Sequence, residues 1–126
     1  MPELAISINV LVNLCHSRSK EAGWYTDLAT MQPVTPSIEL IAMKLALIHS
    51  EVSEALEGER KNLMDDHLPR RKMGEVELAD AIIRIADLAG FLGYDLGGAI
   101  MEKLEYNAQR EDHKIENRLA AGGKKV

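Results

Sequence analysis

A chain of 126 residues with a formal net charge of -5 has the length of one domain. The acidic balance argues against a general nucleic-acid binder, which presents a basic surface. It does not argue against a nucleotide, because a divalent cation can offset phosphate charge locally. The single cysteine, Cys15, leaves no partner for an internal disulfide and no cysteine cluster for zinc. No apolar run reaches the length of a membrane span. The start, Met1-Pro2-Glu3, lacks the basic-then-apolar pattern of a secretory leader. The expectation is a soluble cytoplasmic protein with neither nucleic acid nor membrane as a partner.

Aromatic residues make up only 4% of the chain, so its core must be built from Leu, Ile, Val, Ala and Met. Such a core suits helix-on-helix packing. Residues 4–22 read as a helix, with Ile8, Leu11, Cys15 and Ala22 on one face and Gly23 as its stop. Residues 24–36 hold Trp24 and two prolines and read as a loop. Thr35 as N-cap and Pro36 at the first helical position start a second helix that runs to about Glu57. Ile38, Ala42, Leu45, Val52 and Leu56 form its expected core stripe, and Gly58 lies near its end.

Residues 59–73 are rich in charge and read as a solvated connection. Gly74 precedes a third helix that ends near Leu92. Two apolar stripes cover most of its circumference, interrupted only by the polar row Glu77, Asp80, Arg84 and Asp87. A helix apolar around most of its girth is a central helix, and in so short a chain it is expected to touch a second subunit as well. Asp95 caps a fourth helix running to about Arg118, and Gly122–Val126 reads as a frayed tail. No stretch alternates with period two. The expected fold is a single all-α domain over residues 1–126, a four-helix bundle that shares its core with further copies.

Chemistry concentrates in two acidic pairs. Glu51 and Glu54 are three residues apart on the second helix, and Glu77 and Asp80 are three apart on the third. Residues so spaced share a helix face. If the helices run antiparallel, the pairs face one another. Two like charges about 4 Å apart repel by about 4 kcal/mol at an effective dielectric near 20. Four clustered carboxylates therefore call for a shift in pKa or for a cation, and magnesium takes such hard oxygen ligands while keeping room for phosphates. The plain alternative is a solvated acidic face.

The segment Glu51-Val-Ser-Glu54, the 22 residues 55–76, and Glu77-Leu-Ala-Asp80 together resemble the E-x-x-E, spacer, E-x-x-D signature of the MazG-like all-α NTP pyrophosphohydrolases. The resemblance covers roughly residues 37–110. It implies hydrolysis of a nucleoside triphosphate to the monophosphate and pyrophosphate, with magnesium (manganese as a substitute) held by Glu51, Glu54, Glu77 and Asp80. It also implies a homodimer or homotetramer of helical bundles and a role in clearing surplus or non-standard nucleotides. One of the four acids, or Glu57, would orient the attacking water. Where some relatives carry an extra acid just before the first motif glutamate, this chain has Ser50.

Further candidates surround this motif. Lys103, Asn107 and Arg110 fall at i, i+4 and i+7 on the fourth helix, a row suited to phosphate oxygens, and the K-x-x-x-N-x-x-R pattern also looks like the family. Trp24 either stacks on a base or belongs to the core, and Lys44 lies on the Glu51 stripe, facing phosphate or solvent. Arg84 is expected to pair with the acids, with direct phosphate contact as the alternative, and Asp87 is a candidate fifth acid ranked below the motif four. His49 reads as a hydrogen-bonded core or interface histidine, and Cys15 as a small hydrophobe. A di-iron bundle fails for want of any Glu-x-x-His, and no phosphate-binding glycine loop or EF-hand is present. Two readings compete with the broad pyrophosphohydrolase: an enzyme specialised for dUTP or dCTP, and a non-catalytic helical interaction module.

Overall fold

The computed structural model describes residues 1–126, and the chain is all-helical. Its elements are α1 (Pro2–Glu21), α2 (Ile38–Lys61), α3 (Met73–Leu92), α4 (Leu96–Ala108) and α5 (Ile115–Leu119), with a 3-10 turn at Glu111–His113 before the last. Two isolated bridges, Thr26 with Pro33 and Met64 with Lys72, are its only β-type pairings. No helix is long and apolar enough to cross a membrane. The chain divides into two compact units, Val10–Tyr94 and Met1–Asn9 with Asp95–Val126.

In the first of these units, α2 and α3 form an antiparallel hairpin. Gly58 meets Met73 at one end, and Glu51 meets Arg84 further along. The helix starts differ from the expected ones. Ser37, not Thr35, caps α2, its hydroxyl oxygen accepting the Leu40 N–H at 3.1 Å. The helix continues past Gly58 to Lys61, where Asn62 in the left-handed region ends it. Gly58 is internal because α3 passes close by: a Cβ there would lie 2.8 Å from Met73 Cβ.

The connection between α2 and α3 is not the loose solvated strip that its charge implied. Asp65 is buried, and its carboxylate accepts the N–H groups of His67 at 2.9 Å and Leu68 at 2.7 Å. Its own N–H donates to Arg71 at 2.9 Å, and the Met73 N–H reaches Leu63 at 3.0 Å. Local side-chain to backbone bonds of this kind satisfy a turn without regular structure.

The seam between α2 and α3 is narrow and made of small or acidic residues: Glu51, Ala55 and Gly58 against Gly74, Glu77 and Ala81. The expected core stripe of α2 is turned outward instead. Ile38, Leu45, Val52 and Leu56 are exposed, as are Leu78, Ile82 and Ile85 on α3. The error has a physical source. Periodicity reports that a face is apolar, not which surface covers it, and these faces have no cover within one chain. Cys15 is buried beside Val12, as expected of a small hydrophobe.

In the second unit, Asn9 of α1 bridges to the start of α4. Its Oδ1 accepts the Gly97 N–H at 2.9 Å, and its Nδ2 donates to Asp95 at 2.8 Å. Asp95 caps α4 through the Gly98 N–H, as expected. The helix stops at Ala108 rather than near Arg118. Arg110 is extended, and its guanidinium grips Asp112 through bonds of 3.0 and 2.7 Å. Lys124 closes on the same carboxylate at 2.7 Å, and Arg118 donates to the carbonyls of Lys124 and Lys125. The tail thus folds back instead of fraying.

Candidate metal centre

Glu77, Asp80 and Arg84 of the polar row of α3 face Glu51 of α2, so the hairpin collects acids in a seam that helices normally fill with apolar side chains. One carboxylate oxygen each from Glu51, Glu77 and Asp80 lies within 4.8 Å of the others. Glu51 and Glu77 are buried, at 8% and 9% exposure, which charged residues rarely are without a partner. Glu54 is exposed on α2, one turn on from Glu51, and is not among the three whose oxygens converge.

Arg84 donates its Nε to Glu51 Oε1 at 2.9 Å. The expected pairing of Arg84 with the acids therefore exists, and its target is Glu51. One cation does not balance the group. The Glu77 carboxyl is pushed up to about 8 by its contact with Glu51, by burial and by Glu54. Burial alone would raise Glu51 too, but bonds from Glu77 and Arg84 outweigh it and hold that carboxyl below its usual range. Burial and then the Glu51 charge raise Asp80. Glu77 Oε2 is buried with no hydrogen-bond partner. An orphaned buried oxygen among three carboxylates is a donor set that could hold a metal ion.

The other candidates fall elsewhere. Asp87 is not a fifth acid of the cluster. Its Oδ1 meets His16 Nδ1 at 3.0 Å and its Oδ2 accepts the Tyr25 hydroxyl at 2.8 Å. Lys44 is seated over the Tyr25 ring, 4.3 Å from its centre. Trp24 is 77% exposed, which removes the core alternative. His49 is exposed and makes no hydrogen bond, so it is no core histidine. Lys103, Asn107 and Arg110 belong to the other unit and do not form one helical row, because α4 ends before Arg110. Lys103 lies 4.5 Å over the Tyr106 ring, Arg110 holds Asp112, and Asn107 Oδ1 is buried without a partner.

His16 and Tyr25 are the polar residues that reading the sequence missed. The available signal was Asp87 itself, since a carboxylate on a helix otherwise apolar must find donors. Compared with protein-family models, curated proteins and solved structures, the chain matches none.

Proposed function

We propose that the chain is a magnesium-dependent nucleoside triphosphate pyrophosphohydrolase that converts a (d)NTP and water to the (d)NMP and pyrophosphate. The observation that carries the reading is the seam itself: Glu51, Glu77 and Asp80 with oxygens inside 4.8 Å, one oxygen buried and orphaned. A fold that gathers such a group and supplies one arginine leaves negative charge for a cation to offset. The likeness of the doubled acidic motif to the MazG-like bundles supports the same reading.

Glu51, Glu77 and Asp80 would hold magnesium, with manganese as a substitute, and Glu54 stands beside them as the fourth acid of the motif. When bound, the ion supplies positive charge that stabilises the triphosphate oxygens. Arg84 keeps the Glu51 carboxylate ionised and oriented. Lys44 on α2 remains a candidate for phosphate, and the exposed Trp24 for the base. The role inferred is the disposal of surplus or non-standard nucleotides.

The reading includes a homodimer or homotetramer whose bundles share a core. Exposure of Ile38, Leu45, Val52 and Leu56 on α2 and of Leu78, Ile82 and Ile85 on α3 supports it, because contiguous apolar surface of this kind marks association. The same faces favour the second reading, a helical interaction module without catalysis. A product assay on mixed (d)NTPs with magnesium separates them. Pyrophosphate is expected, falling to background in Glu77→Gln and Asp80→Asn. Orthophosphate alone, or no product, rejects the proposal.

A further inference from the structure

We propose that the Asp87–His16 pair is a recognition site for a hydrogen-bond-donating group of the nucleotide, with His16 Nε2 as the acceptor. This rests on the reading above that the acids of the hairpin receive the phosphates. The donor is either the amino group of a base such as cytosine or adenine, or the 2′-hydroxyl of the sugar.

The placing of a hydrogen on His16 Nδ1 follows from what surrounds Asp87. Both carboxylate oxygens are engaged as acceptors, Oδ2 from the Tyr25 hydroxyl at 2.8 Å and Oδ1 at 3.0 Å from His16 Nδ1. An ionised carboxylate has no hydrogen to give, so the hydrogen on this contact sits on Nδ1. With the ring taken as the neutral imidazole, the lone pair is then on Nε2. That nitrogen makes no hydrogen bond within the protein and is not sealed off, the His16 side chain being 19% exposed. The result is an oriented, free acceptor.

The ring is held rigidly. Tyr25 meets it edge-on at 4.8 Å, and Phe91 lies 6.1 Å away. Gly90 lets α1 approach α3 here, since a Cβ at that position would lie 2.6 Å from His16 Cβ. A residue held only for packing does not need a carboxylate buried behind it. The Asp87 side chain is only 14% exposed, and the pair it forms costs desolvation that an apolar contact would avoid.

Its placement matches a nucleotide. Asp80, Arg84 and Asp87 follow at i, i+4 and i+7 on one face of α3, which sets Asp87 about 10 Å from Asp80 along the axis. A triphosphate anchored at Glu77 and Asp80 and laid along this face brings its nucleoside end to His16.

The test measures pyrophosphate release from dCTP, dUTP, CTP and UTP, together with a long-range proton–nitrogen correlation spectrum of His16 in the free protein. The spectrum is expected to show hydrogen on Nδ1 and none on Nε2. An amino-group donor predicts kcat/KM about tenfold higher for dCTP than dUTP, the worth of one hydrogen bond. A hydroxyl donor predicts a similar preference for CTP over dCTP with the bases equal. Asp87→Asn can turn its amide N–H toward Nδ1 and move the ring hydrogen to Nε2, so the preference should fall to parity or reverse. Hydrogen on Nε2 in the wild type, equal rates on all four nucleotides, or an unchanged preference in Asp87→Asn overturns the inference while leaving the pyrophosphohydrolase standing. No pyrophosphate from any of the four overturns both. Should Asp87→Asn fail to fold, the wild-type spectrum and rates decide alone.

Discussion

Arg84 on α3 reaches across the seam to Glu51 on α2, Nε to Oε1 at 2.9 Å, and it is the only cation bonded to the acidic group. The Glu51 side chain is 11% exposed and the Arg84 side chain 42%. Glu51 therefore depends on this bond more than Arg84 does. Arg84→Met should lower unfolding free energy by about 1–2 kcal/mol, short of the 3–5 of a fully buried pair because water reaches the guanidinium. Denaturant titration measures it. Added magnesium should recover most of the loss, since it replaces the missing positive charge.

Glu77→Gln addresses the opposite member of the group. In metal-free protein the Glu77 carboxyl is raised from 4.5 to about 8. An acid that binds its proton more tightly when folded weakens the fold as the unfolded state ionises. Stability should thus fall as pH rises from 4.5 toward 8. Glu77→Gln should flatten that slope and melt higher than wild type near neutral pH without metal. It should also gain less from magnesium. Thermal melts across pH, with and without the ion, test all three effects.

The apolar faces give a prediction about assembly. Leu56 is 61% and Ile82 55% exposed in one chain. If nothing covered them, Leu56→Glu and Ile82→Glu would change stability by no more than about 0.5 kcal/mol, as surface changes do. Covered by another copy, each buries a carboxylate in an apolar contact. Sedimentation should show the wild type as an oligomer and either variant shifted to monomer.

Asp112 organises the C-terminal segment by holding both Arg110 and Lys124. Bonds from these two cations keep its carboxyl well below the ordinary value of 3.8. A depressed acid contributes stability above its unfolded pKa and loses it as pH falls below. The fold-back of residues 122–126 should therefore be intact at neutral pH and released in acid. Asp112→Asn should release it at neutral pH, with faster amide exchange over that stretch. The expected effect on global melting is small, because exposed ion pairs contribute little.

Helix content was legible because it depends on local pattern. The centres of α1, α2 and α3 and the Asp95 cap fall where the sequence places them. The spacing of Glu51, Glu77 and Asp80 likewise reaches one seam, since i, i+3 neighbours on antiparallel helices must meet when the register allows. Register was not legible, nor was the sense of each apolar face. Leu45 and Val52 have the periodicity of a core and lie outside the hairpin. Contacts between residues far apart in the chain were the least readable. Tyr25 reaches Asp87 across 62 positions and His16 across 71, and no spacing rule encodes such contacts. The break after Ala108 was hidden because nothing in Gln109 or Arg110 opposes a helix; the Arg110–Asp112 grip decides it.

The link between α2 and α3 is pinched at its base, by the Met64–Lys72 bridge and the Leu63–Met73 bond, and filled by Asp65. Its tip, His67 to Arg70, is open to solvent. Residues added at that tip would lengthen a bubble whose neck is already tied, at an entropic cost that grows only slowly with length. The distance between Glu51 and Glu77 is thereby insulated from the length of chain between them. Two side chains can stay in register while the stretch joining them drifts freely in size, and only Asp65 at the knot stands guard over it.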